Sequence, residues 1–167
     1  MELRFIAVIL IVLCGAFCGA LNAEKLKHRV QLCCEAEKLM RLSETMIRTG
    51  GSDIYSIVKK LKAEKAKYIA FISKLPDSFS ADCSIREKWR ELLMRDTSVP
   101  DEESAVLLEF GSVLGTTDVQ GQLSSIDALL VRIEELREQR RQEYLQKGRL
   151  YRSLGVMAGV SVGIILI

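Results

Sequence analysis

Histidine is nearly absent from this chain. The single one, His28, leaves no material for a nucleophile–histidine–carboxylate triad or for a site of several histidines, so the composition argues against an enzyme from the outset. An excess of charge of one sign is lacking as well: 24 Lys+Arg stand against 22 Asp+Glu, and a net charge of +2 makes no nucleic-acid surface. Proline occurs only twice, at Pro76 and Pro100, which leaves few forced turns and favours long segments. The three central cysteines, Cys33, Cys34 and Cys83, are an odd number without a scaffold spacing, which excludes a disulfide-stapled domain and suits a reducing compartment. At 167 residues there is room for one modest domain.

What the chain has is apolar sequence at both ends. Phe5 to Leu21 reads FIAVILIVLCGAFCGAL, 17 residues without a charge, which as a helix would extend about 26 Å against a hydrocarbon core of roughly 30 Å. Leu154 to Ile167 reads LGVMAGVSVGIILI, and Leu150, Tyr151 and Ser153 lengthen it if Arg152 snorkels to the interface. These runs predict transmembrane helices over 3–22 and 150–167. The first run also has the look of a secretory signal, with small residues at Cys18-Gly19-Ala20 or Leu21-Asn22-Ala23 where cleavage would fall. Basic residues decide for retention: Lys25, Lys27, Arg29, Lys38 and Arg41 follow the first run, and Arg132, Arg137, Arg140, Arg141, Lys147 and Arg149 precede the second. Both flanks therefore place residues 24–149 in the cytoplasm and both termini outside, in the cell membrane.

Within residues 24–149 the apolar positions recur at helical spacing and no convincing strand is present, which predicts an all-α helical bundle. A helix from about Glu24 to Thr49 would bury Leu32, Cys33, Ala36, Leu39, Met40, Met46 and Ile47 and stop at Gly50-Gly51. A second, capped by Ser52 or Asp53, would run through Ile54, Ile57, Val58, Leu61, Tyr68, Ile69 and Ile72 to Pro76. Ser84-Ile-Arg-Glu87 has the form of a capping box and opens a third helix carrying Ile85, Trp89, Leu92 and Leu93. Pro100 and the carboxylates of Asp101, Glu102 and Glu103 open a fourth, complementing its dipole, and Gly115 stops it after Val106, Leu107, Phe110, Val113 and Leu114. Thr117-Asp-Val-Gln120 opens the longest helix, with Val119, Leu123, Ile126, Leu130 and Ile133 as a packing seam. Glu134 to Arg149 holds nine charged residues in sixteen, which predicts an exposed extension, with Gly148 as a possible hinge.

Few residues carry chemistry. His28, Cys33, Cys34 and Glu37 share one helix, but adjacent cysteines diverge by about 100° and do not converge on a metal. Gly111 to Thr117 lacks the Lys-Ser or Lys-Thr of a phosphate loop, so no nucleotide is expected. No catalytic residue, metal, cofactor or small-molecule substrate is implied. The lysines of the second helix, Lys59, Lys60, Lys62, Lys65 and Lys67, form either a solvated face or a surface for acidic lipid. Glycines at i, i+4 and i+8, Gly155, Gly159 and Gly163, and the pair Gly15 and Gly19 suit close helix packing within a membrane. Gly111, Gly115, Thr117, Asp118 and Gln122 gather at one helix-to-helix corner, with Asp118 and Gln122 four apart on one face, able to brace the corner or to meet a partner protein.

Two of these stretches, Phe110-Gly-Ser-Val-Leu-Gly-Thr-Thr-Asp118 with Gln122, and Leu150-Tyr-Arg-Ser-Leu-Gly-Val-Met-Ala-Gly159, together with Trp89, make the chain resemble the stage III sporulation protein AB family of endospore-forming bacteria. The resemblance implies a component of a secretion-like complex in the mother-cell membrane. It also implies a cytoplasmic domain similar to that of the type II secretion inner-membrane platform protein, with the complex's secretion-type ATPase as partner and no catalytic residues.

Overall fold

The computed structural model describes residues 2–50, 53–76, 84–115 and 118–166; toward the two ends, side chains are described only for Leu10, from Leu13 inward, up to Tyr151, and at Ser153, Leu154, Met157 and Ser161. Among the described residues the secondary structure is helical throughout: α1 Glu2–Gly50, α2 Ile54–Ala63, a 3-10 turn Ala70–Lys74, α3 Ile85–Arg95, α4 Asp101–Val113 and α5 Val119–Leu166. The contacts divide the chain into two units, Gln31–Arg137 and the pair of segments Met1–Val30 with Glu138–Ile167. The expected boundaries near residues 23 and 149 fall inside unbroken helices, and α5 passes through Gly148 without a hinge.

In the Gln31–Arg137 unit the expected stripe of α1 is buried at Leu32, Cys33, Ala36, Leu39, Met40 and Ile47. It meets Ile57, Val58 and Leu61 of α2, Trp89 and Leu93 of α3, Val106, Leu107 and Phe110 of α4, and Ile126, Leu130 and Ile133 of α5 in one apolar core. The seam of α5 begins later than its spacing predicts, since Val119 is 43% exposed while Leu129 and Leu136 join the core. Ion pairs bind α5 to its neighbours: Glu37 accepts from both Arg41 and Arg137, Arg41 reaches on to Glu134, and Arg132 meets Glu109 of α4 at 2.9 Å.

The second helix ends thirteen residues before its expected stop at Pro76, at Ala63. Lys65 takes a left-handed φ of 49°, and the carboxylate of Glu35 on α1 then accepts the amides of Lys67 at 2.9 Å and Tyr68 at 2.7 Å. Two charge-assisted bonds to otherwise orphaned amides replace the helical ladder there. The following 3-10 turn still buries Ile69, Phe71 and Ile72. Spacings of three and four are common to both arrangements, so the apolar pattern could not separate them.

Two capping expectations also change. The Ser84 side chain makes no capping hydrogen bond at the start of α3. Of the three carboxylates opening α4, Asp101 and Glu102 are exposed but Glu103 is fully buried.

In the other unit the charged stretch of α5 is less exposed than its composition predicts: Arg140 is 5% exposed and pairs with Glu143 at 3.2 Å, and Gly148 is buried. On α1, Gly19 and Ala23 are buried and Gly15 is half-buried. A Cβ added at Gly148 would lie 4.0 Å from the Ala23 Cβ and 3.3 Å from Tyr144 Cδ2, so small residues line both helices where they approach. Large apolar side chains stand exposed around them, Leu10, Leu13, Phe17 and Leu21 on α1 and Leu145, Leu150, Leu154 and Met157 on α5. Among the described residues no helix is long and apolar enough to cross a membrane.

Candidate protein-interaction site

Trp89 of α3 packs against α4 just before the corner that leads to α5. Its indole N–H donates to the Leu107 carbonyl at 2.9 Å, and its ring meets Phe71 and Phe110 edge to face at centroid distances of 5.2 and 5.7 Å. Gly111 lies directly against that ring: a Cβ there would fall 2.4 Å from Trp89 Cδ1, so the missing side chain of α4 is the space the indole occupies. Gly115 closes α4 at φ +76°, a conformation L side chains rarely adopt, and a Cβ would meet Ile54 Cδ1 at 2.8 Å. Arg86 Nε donates to the Leu114 carbonyl at 3.2 Å, satisfying one of the orphaned carbonyls at that helix end.

Asp118 supplies the cap of α5. Its two carboxylate oxygens accept from the Gln120 amide at 3.2 Å and the Gly121 amide at 3.0 Å, in the role the spacing gave to Thr117, which lies outside the described residues. Gln122 is 5% exposed rather than open to solvent. Of Gly111, Gly115, Asp118 and Gln122, Gly111 meets Trp89, Gly115 meets Ile54, Gln122 is buried, and Asp118 offers the only exposed polar side chain of the four. Replacing Asp118 by Ala is expected to lower the unfolding free energy by about 1 kcal/mol, and Asn or Ser to restore most of it, as read by denaturant unfolding.

Of the glycines expected to pack helices, Gly15 and Gly19 line the packed side of α1, while Gly155, Gly159 and Gly163 lie on α5 at positions whose surroundings are outside the described residues. No group of three metal-ligating side chains forms among the described residues. Cys33 is buried and Cys34 exposed, as their divergence on the helix requires.

Two surface features escaped the sequence pattern. A shallow groove of about 220 Å³ lies between α3 and α4, lined by Arg86, Glu87, Trp89, Arg90, Leu108 and Ser112. Around α2, carboxylates are engaged in specific bonds: Lys38 holds Glu64, whose pKa falls below its ordinary value through that hydrogen bond and the lysine's charge. Glu91 is lowered likewise by the hydrogen bond from Lys88 and by the charge of Arg95. A lowered carboxylate contributes stability that is present above its unfolded pKa, about 4.3. That contribution fades as pH falls through the lower folded value. Acid titration of the melting temperature should show Glu64→Gln missing this component, a small one because the pair is exposed.

The family model for stage III sporulation protein AB matches residues 4–167. The chain belongs to that family. No curated protein and no solved structure matches it. Membership makes this a stage III sporulation protein, as the motif resemblance implied, and gives the corner between α4 and α5 a place in a sporulation protein rather than in a known family of enzymes. Both stretches that carried the resemblance fall within the matched span: the first is the end of α4 and the cap of α5, and the second is the continuation of α5 beyond Arg149.

Proposed function

We propose that this member of the stage III sporulation protein AB family is a non-enzymatic platform subunit in the mother-cell membrane. Segments 3–22 and 150–167 span the membrane with both termini outside, and residues 24–149 form a cytoplasmic domain resembling that of the type II secretion platform protein. The domain organises other subunits of the complex and couples its secretion-type ATPase to the membrane assembly.

The observation that carries this reading is the distribution of exposed apolar side chains. Leu10, Leu13, Phe17, Leu21, Leu150, Tyr151, Leu154 and Met157 stand exposed in the terminal segments, against Met94, Val119, Val131 and Leu145 among the large hydrophobics described elsewhere. Water does not tolerate so long an uncovered stripe, whereas acyl chains cover it. Polar groups in the same stretches bond to their own helix, as hydrocarbon requires: Asn22 Nδ2 to the Cys18 carbonyl at 3.2 Å, Ser153 to Leu150 at 3.1 Å and Ser161 to Met157 at 2.9 Å. The basic residues flanking both runs support the orientation.

Reporter fusions and cysteine accessibility test the topology. A fusion after Gly50 is expected to report the cytoplasm and one after the C-terminus the outside. An extracytoplasmic signal after Gly50, or a mature protein whose N-terminus begins near Glu24, would overturn the two-span arrangement.

A further inference from the structure

Between Lys59 and Lys74 the chain carries six lysines and one acidic residue, Glu64. Five of the six, Lys59, Lys60, Lys65, Lys67 and Lys74, are exposed, and none of the five is paired with a carboxylate among the described residues. Carboxylates that could neutralise them are used elsewhere. Glu64 is bound to Lys38, Glu35 holds the amides of Lys67 and Tyr68, and Asp53 accepts from the Tyr55 amide at the start of α2. The fold thus gathers positive charge on the surface of α2 and the turn after it and engages the neighbouring negative charge with its own backbone and with Lys38.

We propose that this lysine surface is the docking site for an acidic surface of a protein partner. The inference rests on the reading of the chain as a platform that works by protein contacts. Three observations select a protein over other anionic partners. The apolar residues of α2, Ile57, Val58 and Leu61, are buried in the core, and the exposed residues between the lysines are Ala63, Ala70 and Ser73, which offer nothing to insert into acyl chains. No arginine and no exposed aromatic occurs from Lys59 to Lys74, so the bidentate and stacking contacts of nucleic-acid sites are absent there. Lysines are hydrated point charges on flexible stems, suited to steering an oppositely charged protein surface and to a readily broken, salt-dependent contact.

The test uses the full chain in neutral-lipid nanodiscs and the purified secretion-type ATPase of the complex as probe. The triple change Lys59→Glu, Lys60→Glu, Lys65→Glu is expected to weaken binding by about tenfold or more, and wild-type affinity to fall steeply as salt rises from about 50 to about 300 mM. Arg95→Glu, a reversal at the end of α3 at an exposed side chain whose ion pair is with Glu91 of the same helix, should leave binding within about twofold. Helicity should be unchanged; if reversal disturbs it, Lys59→Gln, Lys60→Gln, Lys65→Gln carries the same test with a smaller loss. Equal binding by wild type and the triple variant overturns the docking surface and leaves the platform reading standing. No binding by the wild type overturns the platform reading and this inference with it. A triple variant that keeps the ATPase but loses phosphatidylglycerol vesicles or a single-stranded oligonucleotide overturns the inference in favour of a membrane or nucleic-acid surface.

Discussion

Trp89→Ala is expected to cost about 3 to 5 kcal/mol of unfolding free energy, the largest loss from any single side chain in the Gln31–Arg137 unit. The indole is 1% exposed, bonded through its N–H to Leu107 and held edge to face between Phe71 and Phe110. Truncation therefore removes a large buried area, two aromatic contacts of about 0.5 to 1.5 kcal/mol each and a hydrogen bond, and leaves a cavity where α3, α4 and the 3-10 turn meet. Trp89→Phe, which keeps a ring but not the donor, should lose less. Far-UV circular dichroism during denaturant unfolding of the full chain in detergent measures both. A variant that unfolds as the wild type does would place Trp89 outside the core.

Gly111→Ala is expected to lose about 1 to 2 kcal/mol, against the helical propensity that favours Ala over Gly by up to about 1 kcal/mol. The new Cβ would sit 2.4 Å from Trp89 Cδ1 and 2.5 Å from its Nε1, distances that real atoms do not adopt. Two phenylalanines hold the ring edge to face at centroid distances of 5.2 and 5.7 Å, so it gives way only by disturbing those contacts. As the chain has one Trp, its fluorescence reports the displacement directly. Coupling makes this prediction sharp: in the Trp89→Ala background the obstruction is gone, and Gly111→Ala should become neutral or stabilising. Additive losses in the double variant would show that the two positions do not touch.

The corner containing Gly111 was legible as a position but not as a mechanism. Glycines four apart, one within α4 and one just after it, suggested close approach, and Gly115 at φ +76° stops the helix as its type predicts. What occupies the space above Gly111 could not be read, because Trp89 is 22 residues away and only packing of α3 on α4 brings it there. Asp118 and Gln122 share a helix face by spacing, but their fates differ. The aspartate turns back to cap two amides, and the glutamine is buried. Periodicity places residues on a face and says nothing about what covers that face.

By itself the amino-acid sequence determined that the chain is helical, where its sharpest stops lie, that most of the spaced apolar residues of the middle form the core, and which family it belongs to. Those properties follow from local quantities: the 3.6-residue period, glycine's access to positive φ, proline's missing amide hydrogen, and motifs contiguous in the chain. Only the tertiary structure decided that α2 ends at Ala63, that Glu103, Gln122 and Arg140 are buried, and that Lys59, Lys60, Lys65, Lys67 and Lys74 stand without an ion-pair carboxylate among the described residues. Each of these depends on a group distant in sequence or on what covers a helix face, and Glu35 shows why: a carboxylate 32 residues from Lys67 captures two amides and thereby turns a helical pattern into a turn. A hydrogen bond between separate elements is an outcome of their packing, and no property of either segment alone encodes it.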